Sequence, residues 1–359
     1  MSSTELLTVA RPWLRLNGQR DGRLEEDLIR LEVRADSGGL ARLEAVFMNW
    51  GSRKLGDAVD YVHFHRESLD FGHQLKVAFT VEGVETTVFS GLVTGIGAEY
   101  PELRPPELTL LAEDRLLALQ MHQHSRVSEN ESDGGIIAAI AAQASLQLEA
   151  PPPGANHRQL LQFNRDELSA LRARSHDALI RLEDGRLRVT PPVQESERPL
   201  KLSRENELIR FTVLADLAQQ RGEVRVHGWD VTAKQAIHET SGAEAIRREA
   251  TGGRLGPEVV DAVFPGAVLD LHLEAPATPA EARTLAETAL RRRARRFVRG
   301  LGVTRGTPAL RVGSRLDLVD LGPWFSGIYL VTAVTHAFDQ VNGYRTHFEA
   351  QRAQIGGKP

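Results

Sequence analysis

The sequence predicts an α+β protein, mainly β, with two similar small β domains, an α/β unit between them and a helical insertion in the second. Two observations carry this. The first is a repeat. Leu28–Asp36 (LIRLEVRAD) matches Leu208–Asp216 (LIRFTVLAD) at six of nine positions. A tryptophan follows each copy at nearly the same distance, Trp50 and Trp229. Next come Gly72-His73-Gln74-Leu75-Lys76-Val77 and Gly313-Ser314-Arg315-Leu316-Asp317-Leu318, then Val88-Phe89-Ser90-Gly91 and Trp324-Phe325-Ser326-Gly327. Four matches in one order imply a duplicated module, and a duplication dictates how the whole chain is built. The second observation is the alternation of short period-2 segments with turn signals on both sides of a helical stretch.

Residues 1–117 read as the first β domain. Leu28, Leu31 and Val33 lie in an extended segment rich in branched residues, and Leu43, Ala45 and Phe47 alternate on one face, as do Leu75, Val77 and Phe79. Glu82-Gly83-Val84-Glu85 supplies a hairpin turn, Gly91 to Gly97 continues as strand, and Leu108 to Ala112 pairs back after a proline-rich loop. Several short strands with turns between them suggest a small barrel or sandwich.

Residues 118–200 read as an α/β unit. Gly134 to Gln147 carries an apolar stripe of Ile136, Ile137, Ile140 and Ala141, with Ser132-Asp133 as its N-cap. Pro151-Pro152-Pro153-Gly154 is a rigid break. Arg165 to Ala178 is a second helix, and Asp184-Gly185 turns a hairpin between Leu179–Leu182 and Leu187–Val189.

Residues 201–231 and 301–355 read as the second β domain, interrupted by a helical insertion over 232–300. The insertion contains a helix from Pro279 to Arg299, opened by Thr278-Pro279-Ala280-Glu281, with capping-box spacing and a proline at its first position. The tail from Ile355 to Pro359 is expected to fray.

At 359 residues the chain exceeds one ordinary core. It is 41% hydrophobic and 26% charged, as folded proteins are. A net charge of −4 draws it neither to nucleic acid nor to an anionic membrane. With no cysteine, disulfides, thiol nucleophiles and Cys-type zinc sites are excluded. Met1 to Glu5 lacks the character of a signal peptide, and no apolar run is long enough to span a bilayer, so synthesis and folding in the cytoplasm are expected.

Reactive constellations are sparse. His63-Phe64-His65 and His122-Gln123-His124 place paired imidazoles as metals use them, but neither has an identifiable third ligand, and surface or half-buried histidines are the expectation. Ser175-His176-Asp177 has triad letters, yet consecutive helical residues point apart and form no relay. Gly300-Leu301-Gly302-Val303-Thr304-Arg305-Gly306 loosely suggests a dinucleotide loop, but it follows a helix rather than a strand, so a helix stop and turn is expected. Arg291 to Arg296 is read as a solvated or interface face. Glu113, Asp114, Asp166 and Glu167 are read as strand-end and helix-start residues, and Trp50, Trp229 and Trp324 as packing anchors. No catalytic, cofactor-binding or metal residue is assigned, and no enzyme is expected.

A set of ordered motifs spans residues 10 to 355: Val88-Phe89-Ser90-Gly91-Leu92-Val93; Leu110-x-Ala112-Glu113-Asp114-Arg115-Leu116-x-x-Leu119; Gln162-x-Asn164-Arg165-Asp166-Glu167-Leu168; Asp184-Gly185-x-Leu187; Val226-x-Gly228-Trp229-Asp230; Gly313-Ser314-x-Leu316; Gly327-x-Tyr329-x-Val331-x-x-Val334-x-His336; and Gly343-Tyr344-x-Thr346-x-Phe348. In order and spacing the chain resembles the baseplate hub proteins of contractile phage tails, the late control D family, and the hub part of type VI secretion spike proteins. The resemblance implies tube-type β-barrels, two per subunit, in a homotrimer. Three subunits then present six similar domains, a symmetry adaptor between a hexameric inner tail tube and a trimeric spike. It also implies the tube protein, a spike and other baseplate proteins as partners, and a place in a virion or injection-particle baseplate. The spike domains that follow the hub in type VI proteins are not in this sequence, so a separate spike polypeptide is expected, and no lysozyme domain is seen. The rival readings are a cell-wall hydrolase using Glu113 or Asp166, and a carbohydrate-binding tail component using exposed Trp or Tyr.

Overall fold

The computed structural model describes residues 11–52, 58–65, 69–149, 154–183, 185–192, 198–272 and 276–356. Pro151 to Pro153, Asp184 and the tail from Gly357 to Pro359 lie outside the described residues, as does the Met1 to Glu5 start. The described residues are mainly β, with 50% strand and 20% helix.

The first unit opens with β1 (Pro12–Leu16), β2 (Gln19–Arg20) and α1 (Gly22–Asp27), the helix capped by the Asp21 side chain. Then follow β3 (Leu28–Asp36), β4 (Arg42–Met48), β5 (Gln74–Val81), β6 (Val84–Glu99) and β7 (Glu107–Glu113). The β5–β6 hairpin turns at Glu82 and Gly83, both with positive φ, as a tight turn between twisted strands requires. Alternate residues Leu31, Leu43, Phe47, Leu75, Phe79 and Leu110 meet in one core.

The α/β unit holds β8 (Gln123–Ser132), α2 (Asp133–Gln143), β9 (Gln147–Glu149), β10 (Asn156–Asp166), α3 (Glu167–Arg174), β11 (Leu179–Glu183) and β12 (Arg186–Thr190). Ser132 caps α2 by accepting from Gly135 N at 3.0 Å, as expected. Both helices are shorter than their apolar patterns suggested. Asp166 caps α3 through Ser169 N at 2.8 Å, so the helix starts after it. Ile137, Ile140, Leu168, Leu171 and Leu187 share a separate core.

The second unit begins with β13 (Leu200–Ser203) and β14 (Leu208–Ala215). The chain then leaves the main sheet. β15 (Glu223–Asp230), β16 (Gln235–Ser241), α4 (Glu244–Arg247), β17 (Arg254–Leu255), α5 (Gly256–Val263), β18 (Val268–Leu271) and α6 (Pro279–Arg295) follow. β16, β15 and β18 form a small sheet of their own, packed on α6 through Val224, Val226, Ile237, Ala286 and Leu290. The stretch expected to be a helical insertion is therefore itself α/β, and it takes the Trp229 strand with it. Thr278 and Glu281 close the expected capping box at α6, but the helix ends before Phe297.

The main sheet resumes with β19 (Val298–Arg305), β20 (Arg315–Val319), α7 (Gly322–Phe325), β21 (Gly327–Asp339), β22 (Gly343–Arg352) and β23 (Gln354–Ile355). The glycine run read as a helix stop and turn is strand β19 instead. A Cβ at Gly300 would meet Phe211 Cζ at 2.2 Å, and one at Gly302 would meet Phe348 Cζ at 2.1 Å. The glycines are where the tips of two aromatic rings come up against a strand, which any side chain would prevent.

The duplication is visible in the strand order. The first unit runs β3-β4-β7-β6-β5 and the second runs β14-β19-β22-β21-β20. Irregularities fall at matching places: β3 against β4 shifts register between Leu28 and Arg30, and β14 against β19 between Leu208 and Arg210. Gly72 N donates to Val93 O at 2.8 Å and Val93 N to His73 O at 2.9 Å; Gly313 N donates to Val331 O at 2.8 Å and Val331 N to Ser314 O at 2.9 Å. Two of the four sequence matches need correcting. The counterpart of Gly91, opposite Leu75, is Tyr329, opposite Leu316, so the Ser-Gly match was two residues out of register. The Trp50 and Trp229 match has no structural meaning, because β4 corresponds to β19 and not to β15.

No closed barrel forms among the described residues. The two units, expected as two small barrels, share one open 13-stranded sheet whose path ends at β14 on one side and β2 on the other.

Candidate assembly edges

The joint between the units is built by one long strand. The first half of β21 pairs with β20, from Leu318 opposite Gly327 to Arg315 opposite Leu330. A bulge between Val331 and Ala333 bends the strand, and its second half pairs with β3, from Ala333 opposite Asp36 to Asp339 opposite Arg30. The joint is packed as well as hydrogen-bonded. Phe79 of the first unit stacks on Tyr344 of the second at 3.6 Å between ring centres, and Phe338 enters the first unit's core.

The same two edges recur without partners among the described strands. β6 is the counterpart of β21 and is bulged at the equivalent place, between Val93 and Gly95. Its second half pairs with β7 on one side only, and no described strand lies on the other. β14 is the counterpart of β3 and, among the described strands, pairs with β19 alone. Arg210, Thr212 and Leu214 of β14 and Gly97 and Glu99 of β6 are exposed. Each chain thus carries one completed joint and one half of a joint at each of two places. Open edges of this length are what soluble proteins normally cover or pair. The repeat pointed to two modules, but nothing in the sequence marked these edges, because what makes them edges is the absence of a neighbour.

The residues weighed for chemistry are scattered. His63 Nε2 bonds Asp27 at 2.9 Å, and burial lowers its pKa despite that carboxylate. His65 turns to Tyr61 O at 3.1 Å. The His122 and His124 rings are 6.5 Å apart and tilted. Ser175 Oγ bonds Leu171 O, His176 bonds Asp133, and Asp177 binds Arg291 and Arg295, three different directions. Glu113 pairs with Arg42 at 3.1 Å. Asp114, buried, accepts from Ala41 N and Leu116 N; burial nevertheless raises its pKa to about 6. Glu167 pairs with Arg126 at 2.9 Å.

The arginines of α6 divide between the two expected alternatives: Arg292 is exposed, whereas Arg295 is 5% exposed and with Arg291 grips Asp177. Burial pushes that carboxyl up, but the two guanidinium groups outweigh it and hold its pKa at about 2. These pairs clamp α6 onto the α/β unit. Trp50, Trp229 and Trp324 are not core anchors; they are 40%, 53% and 62% exposed. Trp50 rests edge-on against Tyr61 at 5.3 Å, and the other two lie on unrelated elements.

The family model described as the Alg8 N-terminal domain matches residues 60–340. The chain belongs to that family. No curated protein matches this Alg8 N-terminal domain chain. Among solved structures it is similar to the 43 kDa tail protein of prophage MuSo2 from Shewanella oneidensis, at 11% identity and a TM-score of 0.69, covering 96% of this chain and 98% of that one. It is similar to the tail protein from Neisseria meningitidis, at 13% identity and a TM-score of 0.64, covering 96% of both. It is also similar to the E. coli c3393 protein, described as a component of the type VI secretion system, at 15% identity and a TM-score of 0.55, covering 96% of this chain and 79% of that one. This Alg8 N-terminal domain protein therefore has the fold of phage tail proteins and of a type VI secretion component. The matching family model is not the late control D family that the motifs resemble. Among the described residues no helix is long and apolar enough to cross a membrane.

Proposed function

We propose that this chain is a structural baseplate hub of a contractile tail or related injection system: a homotrimer that adapts a hexameric inner tube to a trimeric spike. The observation that carries the reading is the pair of vacant edges, which repeat between copies the joint already made within one. Head-to-tail contacts of this kind close into a ring when the rotation per unit divides a full turn. Three chains with two units each then make a collar of six, threefold in sequence and nearly sixfold in shape. Shared fold with phage tail proteins and a type VI component supports the reading, as does likeness to a structure described as a Francisella PdpA-VgrG complex. The tube, spike and neighbouring baseplate proteins are its partners, and its role is mechanical rather than enzymatic.

The test uses the register of the intact joint. Ala337 lies opposite Glu32 there, and the counterparts of these residues are Glu99 and Thr212. Opposed residues in an antiparallel pair sit close enough for a disulfide, and the chain has no cysteine to interfere. Glu99→Cys combined with Thr212→Cys should give species up to three chains in size on a non-reducing gel, with neither single variant doing so. A trimer by mass that never cross-links would discard this joint. A monomer at working concentration would discard the hub.

A further inference from the structure

The outer face of the β16-β15-β18 sheet carries a side-chain cluster with no part in the joint. Along β15, Val224 and Val226 turn inward onto α6, so Arg225, His227 and Trp229 face out. His227 lies directly opposite His238 of β16. On the other side β18 runs parallel, with Arg225 opposite Asp270 and Val226 opposite Leu271. Asp270 and His272 therefore emerge on the same face, two residues apart, beside His227. His227 Nε2 is 3.1 Å from Asp270 Oδ1, and its ring stacks on His272 at 4.5 Å between centres. One ligand atom each from His227, Asp270 and His272 falls within 4.8 Å of the others.

We propose that His227, Asp270 and His272 form a binding site for a transition-metal dication of the zinc class. Three facts favour it. The first is ligand type: two imidazoles and a carboxylate suit zinc, nickel or copper ions, not magnesium or calcium, which take oxygen ligands. The second is tautomer control. His227 Nδ1 meets His238 Nδ1 at 2.8 Å, so one of the two carries the proton and the other a lone pair. Without a metal, Nε2 donates to Asp270 Oδ1; a metal would displace that proton, and with His227 Nδ1 then donating to His238 the Nε2 lone pair is held to the metal side, as in most metal-bound histidines. His238 is thus a positioning residue and not a ligand. The third is adaptability. Asp270 and His272 are exposed and His227 is partly so, which leaves them free to close by the ångström or so that separates them from ligand spacing of about 3.3 Å around a tetrahedral ion. Arg225, the nearby cation that would oppose a metal, is ion-paired with Glu223 at 2.5 Å, which offsets its charge. Three protein donors leave one position for water or for a donor from another chain.

Isothermal titration of the purified full-length chain with zinc chloride tests this. One equivalent should bind per chain, and magnesium chloride should give no saturable signal. His227→Ala and His272→Ala should each abolish that equivalent, and His238→Ala should weaken it about 10- to 100-fold. All three side chains lie on the outer face, so melting curves should stay close to the parent's. Should His227→Ala unfold, Asp270→Asn serves in its place, with the same expected loss. Absence of saturable zinc binding, or an equivalent that survives these variants on the chain's other histidines, would overturn the site.

Discussion

Asp133 shows how one carboxylate can hold three elements together. It is 1% exposed at the start of α2 and accepts from His157 at 2.8 Å, His176 at 2.9 Å, Ala155 N at 3.0 Å and Arg174 at 3.3 Å. His157 spends its other ring nitrogen on Glu281 of α6, at 2.7 Å. Burial pushes the Asp133 carboxyl up, but hydrogen bonds from His157 and His176 overcome it and hold the pKa well below the usual carboxylate range. The hydrogen bond to Asp133 outweighs burial and raises the pKa of His157. A depressed carboxylate stabilises above its unfolded value near 3.9 and loses that effect as pH falls; a raised imidazole stabilises below about 6.5 and loses it as pH rises through its folded value. The network should be strongest between those limits. Asp133→Ala should lower stability by about 3–5 kcal/mol in urea unfolding near pH ~5.5, because it strands buried partners. The gap between the parent and His157→Gln should narrow as pH is raised to about 9; a gap independent of pH would show that His157 carries no charge.

At the scale of the element, the duplication makes a controlled comparison possible. Gly72 and Gly313 occupy equivalent turns, with φ of 77° and 88°. A Cβ at Gly72 meets open space, whereas one at Gly313 comes within 2.8 Å of Leu179 Cδ1. Gly72→Ala should cost about 1 kcal/mol from left-handed strain alone, and Gly313→Ala distinctly more, since it adds overpacking; paired thermal melts would measure the difference. Much at this scale was legible in the sequence. The Glu82-Gly83 turn, the Ser132 cap and the Thr278 capping box are local, set by residues a few positions apart. Strand β19 was not legible, because its glycines read as a stop until Phe211 and Phe348, distant in sequence, are seen lying on them. The strands of the insertion were hidden by the prominence of α6, and which arginines of the Arg291–Arg296 run would be buried was not legible, because their acidic partners, Asp177 and Glu249, come from elsewhere in the chain.

Over the whole molecule, the repeat predicted two β units but not that they would share a sheet. That follows from β21 being long enough to serve β20 with one half and β3 with the other, a division made by a single bulge. β3 is consequently a central strand, and Arg34 on it sits between Thr335 of β21 and Arg42 of β4. Arg34→Pro should cost about 3 kcal/mol or more by removing a donor and disturbing the ladder. Calorimetry should then resolve two transitions where the parent shows one, as the units uncouple; a single transition at the parent's temperature would mean the joint does not couple them.

The detour between β14 and β19 also dictates a timetable. The first unit can pair β3 with β4 while still emerging from the ribosome, since those strands are neighbours in sequence. β14 must wait, exposed along both margins, until the entire excursion has been translated and β19 arrives. During that interval the nascent polypeptide offers an unpaired strand to other copies being made nearby, so crowded synthesis should favour wrong joining between siblings.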